Sequence, residues 1–221
     1  MSFEKPSENI RNQEYKITPE LIKNIEESKL SSDDKVNLIL TKAGLKPTSE
    51  ILLVIKSEYE NETTEHMSEE DIQKAINIIK ESHLPFQLKE KEITKESYRT
   101  KKEPEIEKFY QREQMKILIG RSKDDLNFLI KALESKSDEL LGKAFGFPAT
   151  AIEAYTGKRE KLDFSTLPKE IRESDAVLFS SPTLSRDNWQ EEIKQGQQYA
   201  DFLKNISTRI YEEMRNVVMR H

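Results

Sequence analysis

The stretch Lys116-Ile117-Leu118-Ile119-Gly120-Arg121-Ser122-Lys123-Asp124-Asp125-Leu126 decides the fold class of this chain. Its first half is short, apolar and β-branched, bounded by a glycine, and so predicts a strand. Ser122 stands three residues before Asp125 in the [ST]-x-x-[DE] form of a capping box. Leu126, Leu129, Ile130 and Leu133 then fall on one helical face. Strand, tight turn and capped helix in eighteen residues predict an α/β protein.

Working outward, the same signals recur. Upstream, Thr18 with Pro19 and Glu20 predicts a helix start, and Leu21, Ile22 and Ile25 form its stripe. Ser32, Asp33 and Asp34 open a second helix that Gly44 closes. The two make a helical hairpin over 17–45, preceded by a polar, flexible arm over 1–16. Ile51–Ile55 reads as a buried strand and 58–66 as a polar loop. Ser68 caps a helix with Ile72, Ala75, Ile76 and Ile79 inward. Phe86 and Leu88 suggest a further strand, giving a strand–helix–strand crossover. Residues 89–115 are dense in Lys and Glu and read as a charged connector within an α/β domain spanning 46–221.

Downstream, Ser137 and Gly146 bracket one helix, and Pro148 and Gly157 bracket another. Ala176-Val177-Leu178-Phe179 is a fourth strand candidate. From Trp189 to Val217 apolar or small residues recur every three or four positions, a seam of about eight turns if unbroken. The architecture expected is a small mixed sheet of about four strands with flanking helices, an N-terminal helical hairpin and a long C-terminal helix.

Composition excludes several chemistries. The 221 residues contain no Cys, so a disulfide scaffold, a thiolate metal site and a cysteine nucleophile are ruled out. Only three His are present: His66 in a polar loop, His83 at a helix end and His221 at the terminus. The sequence predicts no metal and no cofactor, having neither a Walker A loop nor a G-x-G-x-x-G turn. A nucleophile elbow is also missing. The net charge of −5 argues against nucleic acid as a partner. No apolar run approaches the ~18 residues of a membrane span, and no export signal is visible, which favours the cytoplasm.

Two loops carry the candidate ligand-binding residues. Arg121 and Ser122 sit at a strand-to-helix turn, where backbone N–H groups and a guanidinium suit a phosphate. Ser181, Thr183 and Arg186 lie in a hydroxyl-rich loop that follows the 176–179 segment. If the strands at 117–120 and 176–179 are adjacent and parallel, both loops face one crevice. The ordinary alternatives are a capped turn and a helix-capping connector. The paired carboxylates Glu69/Glu70 and Asp124/Asp125 sit at helix starts, whereas Glu153 has a context that is not simply that of a first turn, with Lys158 as its expected partner. A third function class is RNA association through 89–116, with Tyr98, Phe109 and Tyr110 as stacking platforms. The C-terminal seam is a candidate homodimer face.

Leu141–Tyr155 (LGKAFGFPATAIEAY) resembles a family of uncharacterised archaeal and bacterial proteins with the motif L-G-K-x-x-G-[FY]-P-x-C-C-V-x-A-F. The resemblance extends over about 116–203, through the strand at 117–121 and the loop Ser181-Pro182-Thr183-Leu184-Ser185. It implies that Thr150 and Ala151 occupy positions of adjacent cysteines, with a second cysteine cluster near Thr183 and Asn188. Thr and Ala cannot replace thiolates as soft metal ligands. The resemblance therefore implies a cysteine-less relative that keeps the scaffold and lacks the metal. Three readings follow: a non-catalytic binding or scaffold protein, a protein acting on or binding a phosphorylated or nucleotide-like small molecule, and the RNA-associated protein. Catalysis is left undecided.

Overall fold

The computed structural model describes residues 16–59, 62–98, 108–180 and 182–219. Residues 1–15 of the expected arm, Ser181 and His221 lie outside them. Within them are ten helices and five strands, an α/β protein as expected.

The hairpin comprises α1 (Pro19–Glu27) and α2 (Ser32–Lys42). Thr18 Oγ1 accepts from the Leu21 N–H at 3.1 Å, and Ser31 Oγ does the same for Asp34. Next come β1 (Thr48–Tyr59), β2 (Glu62–Glu65), α3 (Glu69–Glu81), β3 (Phe86–Leu88), β4 (Glu92–Tyr98) and β5 (Lys108–Gly120). The central strand is β5. It pairs with β1 on one side and with β3 and β4 in tandem on the other, while β2 extends the β1 edge. Every pairing is antiparallel, so the sheet is antiparallel rather than mixed. The strand–helix–strand unit β1–α3–β3 does form, with β5 running between its two strands.

Ile117 and Ile119 face one side of β5 and Leu118 the other. On the first side Ile51, Leu53, Ile117 and Ile119 join the hairpin, α3 and the C-terminal helices in one apolar cluster. On the second side Leu118 packs with Leu126, Leu129, Ala132 and Ala144. Those belong to α4 (Lys123–Ser135) and α5 (Asp138–Ala144). The helical hairpin therefore shares the sheet's own core.

Two polar segments differ from their sequence reading. Within the 58–66 loop, 58–59 end β1 and 62–65 form β2, antiparallel to it, and much of the 89–115 connector is β4 and β5. Beyond the helices these strands are no longer covered, so hydrophobic alternation fades and the period-2 signal with it. The Lys and Glu residues there form cross-strand pairs. Glu113 receives Lys56 at 3.3 Å and Lys91 at 3.2 Å, and Lys116 reaches Glu92 at 3.0 Å.

After α5 come α6 (Ala149–Tyr155), a 3₁₀ turn at Phe164–Thr166, α7 (Lys169–Arg172) and α8 (Asp175–Leu178). The strand expected at 176–179 is thus α8, a single helical turn. A four-residue apolar run has no period of its own, and tertiary contacts decide its state. Phe179 stacks on Tyr211 with centroids 5.7 Å apart, and Asp175 takes Lys204 at 2.5 Å and Tyr211 at 2.9 Å. Gly196 lets α8 approach: a Cβ there would stand 2.2 Å from the Ala176 carbonyl oxygen.

The long C-terminal helix is α9 (Trp189–Ile206), and α10 (Thr208–Val218) follows it. The seam is not one unbroken helix. Ser207 leaves the helical region at φ −154° and ψ 97°, closes α9 and caps α10 through the Ile210 N–H at 3.1 Å. Its hydroxyl donates to Glu26 of α1 at 2.5 Å, which ties the break to the hairpin.

Candidate binding site

Gly146 ends α5 with φ +78°, a left-handed conformation that suits glycine, and packs against Pro47. Pro148 stands just before the first residue of α6, and Gly157 follows that helix at φ +78°. This helix–Gly–Pro–helix turn encloses an apolar cavity of about 250 Å³. Leu141, Phe145, Phe147, Ile152 and Pro182 supply its apolar wall, while Asp138, Tyr155 and Thr183 bring polar groups.

Beside the cavity lies a buried polar knot centred on Glu192 in the first turn of α9, only 2% exposed. Glu192 Oε1 accepts from Thr150 Oγ1 and from Ser185 Oγ, each at 2.5 Å. Its Oε2 accepts from the Ser185 N–H at 2.8 Å. Asn188 Nδ2 donates to Thr150 Oγ1 at 3.0 Å. One carboxyl group thus joins α6, α9 and the 182–188 loop, and its oxygens are met by donors as burial requires. The loop is held from its other side by a bridge between Lys161 and Ser185, with the Leu162 N–H on the Leu184 carbonyl at 2.8 Å.

The ionic groups nearby are paired. Glu153 takes Arg159 at 3.0 Å rather than the expected Lys158, and Arg159 also reaches Asp187 at 2.6 Å. Lys158 instead bonds Glu139 at 2.5 Å. Together with Lys143 it holds the Glu139 carboxyl down at about 2, well below the usual range.

The candidate residues from the sequence separate into groups. Arg121 Nε donates to Asp125 Oδ2 at 3.2 Å. Ser122 Oγ donates to Asp125 at 2.8 Å and accepts its N–H at 3.1 Å. These two residues do not line the cavity, whereas Thr183 does. Arg186 pairs with Glu160 at 2.5 Å on the surface. Ser181 lies outside the described residues. With α8 in place of a strand, the two parallel strands that would have aimed both loops into one crevice do not form.

Of the stacking candidates, Phe109 is 66% exposed. Arg112 lies over the Tyr110 ring at 5.1 Å. His66 shares a 2.7 Å hydrogen bond with Ser57. Among the described residues no group of three or more His, Asp and Glu is arranged to hold a metal. No helix among them is long and apolar enough to cross a membrane.

Sequence reasoning missed Glu192. A glutamate in a helix first turn looks like a dipole partner, and its burial depends on Thr150, forty-two positions away. The four positions singled out by the family resemblance do meet in space. Ala151 and Thr183 line the cavity, and Thr150 and Asn188 are hydrogen-bonded to each other. Fold and site together define an α/β protein with an open antiparallel sheet and a cavity-bearing helical cap. No known protein family, curated protein or solved structure matches the chain.

Proposed function

We propose that this is a non-catalytic binding protein whose cavity between α5, α6 and the 182–188 loop holds a small, largely apolar molecule. The observation that carries the reading is the cavity itself, with aromatic and aliphatic walls and polar groups from Asp138, Tyr155 and Thr183. Two carboxyl groups beside it are committed to structure: Glu192 to three donors, Glu153 to Arg159. The resemblance of 141–155 to a cysteine-bearing family fits the same reading. The helix–Gly–Pro–helix turn is present, and Thr150 and Asn188 bond each other in a site with no thiolate.

Indole is a suitable probe, being small and aromatic. Titration should raise the melting temperature and shift the methyl resonances of Leu141, Ala151 and Ile152. Ala151→Phe, which fills the space, should abolish both effects while the fold persists. Methyl resonances that stay unmoved in the wild type at millimolar indole would refute the proposal.

A further inference from the structure

A second cavity, of about 180 Å³, lies across the wall formed by Phe145, Phe147 and Pro182, which line both spaces. Its other walls come from α2, the link to β1, α8, α9 and α10. Leu178, Phe179 and Met214 are among its apolar lining, while Asp33, Asn37, Lys46, Ser180, Gln195 and Tyr199 supply its polar groups.

Lys46 is the unusual group. Its ammonium has three N–H donors. One goes to Asn37 Oδ1 at 2.7 Å, and no described carboxyl group is within ion-pair distance. Other cations packed against the core or the sheet do find carboxylates: Lys35 pairs with Glu213 at 3.0 Å, Lys116 with Glu92 and Lys204 with Asp175. Asp33 on the same wall favours the charged form but makes no direct ion pair, so the ammonium has a single neutral acceptor to offset its lost hydration.

We propose that this cavity binds a small carboxylic acid with an apolar body, its carboxylate paired with Lys46 and its body against Leu178, Phe179 and Met214. A single ammonium suits a monoanion. A phosphate would call for more donors, such as an Arg fork; no Arg lines this space, and the first turn of α2 presents the carboxylate Asp33 to it. The proposal does not depend on occupancy of the neighbouring cavity.

The electrostatics agree. Burial pushes the Lys46 amine down to about 8, and Asp33 opposes that shift. Asp33 on α2 and Tyr199 on α9 are the other titratable groups on the walls; α8 with the residues after it, and α10, contribute Leu178, Phe179, Ser180 and Met214. Burial holds the Tyr199 hydroxyl up at about 12, so it stays neutral, and it donates to the Leu45 carbonyl at 3.3 Å. A bound carboxylate would hold the proton on Lys46, and affinity should fall as pH rises past about 8.

The test is calorimetric titration of the full chain with 3-phenylpropionate and with 3-phenylpropionamide, which has the same body without the charge. The acid should bind, and the amide more weakly by roughly tenfold or more. Lys46→Met should weaken the acid to the level of the amide, Lys46→Arg should keep part of the affinity, and Ala151→Phe should leave it unchanged. The acid–amide comparison needs no variant, so it stands even if Lys46→Met unfolds. Equal affinities for acid and amide, or no binding of the acid by the wild type, would overturn the proposal. Loss of acid binding in Ala151→Phe would place the ligand in the first cavity and overturn it too.

Discussion

Across the β1–β5 ladder Ile51, Leu53, Ile117 and Ile119 leave no surface exposed. In the cap, α6, α9 and the 182–188 loop meet instead around one buried carboxyl group, and a cavity of about 250 Å³ is left beside it. The difference is physical. Apolar burial is non-directional, so side chains slide until voids close. Hydrogen bonds fix distances and angles, so a region tied by a few of them can be held open. The close-packed region supplies stability, and the tethered region keeps a cavity open.

The contrast can be broken at either end. The largest effect should come from Ile119→Ala, which empties a fully buried position at the sheet centre. It should cost about 4 kcal/mol in urea unfolding, with sheet and helix probes shifting together. A protein that loses only local signal would show that the sheet is not its common core.

The next test concerns Asp34, only 5% exposed where the hairpin meets the sheet. Its carboxyl accepts from the Leu52 N–H at 3.0 Å and from Ser31 Oγ at 2.6 Å. Burial outweighs these bonds and raises it from its ordinary 3.8 to about 6. The folded chain then binds this proton more tightly than the unfolded one. The contribution is fully present below pH 3.8 and is lost as pH rises through about 6. The shift corresponds to about 3 kcal/mol at most. Asp34→Asn should keep the fold and flatten stability across that window in denaturant melts. An unchanged slope would assign the pH dependence to other groups.

Glu192→Leu sharpens the comparison with a smaller effect. It removes the acceptor of the Ser185 N–H and of two hydroxyl groups. The expected cost is about 2 kcal/mol. Its signature should be regional: faster amide hydrogen exchange in α6 and the 182–188 loop, with β1 and β5 unchanged. Equal acceleration in the sheet would mean that the two regions open as one.

Local chemistry made part of this legible. The caps at Thr18, Ser68 and Ser122 and the apolar runs at 51–55 and 116–120 act within one turn or one strand, so neighbouring residues suffice to read them. The outer halves of β1 and β5 were not legible, because an uncovered strand carries charges that look like a linker. The 176–179 run failed for the opposite reason: apolar in any conformation, it took its shape from Gly196 and Tyr211. For the candidate site, the sequence singled out Thr150, Ala151, Thr183 and Asn188. Glu192 and Lys46 went unseen, since a buried charge has no marker in its neighbours.

By itself the sequence determined the α/β class, the helical hairpin, the inner strands and the exclusion of thiolate chemistry. These follow from propensity, periodicity and composition, which are local or additive. Only the tertiary structure decided that β5 is central, that the seam breaks at Ser207, and that Glu192 and Lys46 sit where they do. Each depends on residues far apart in the chain brought together by burial, and burial is a property of the whole fold.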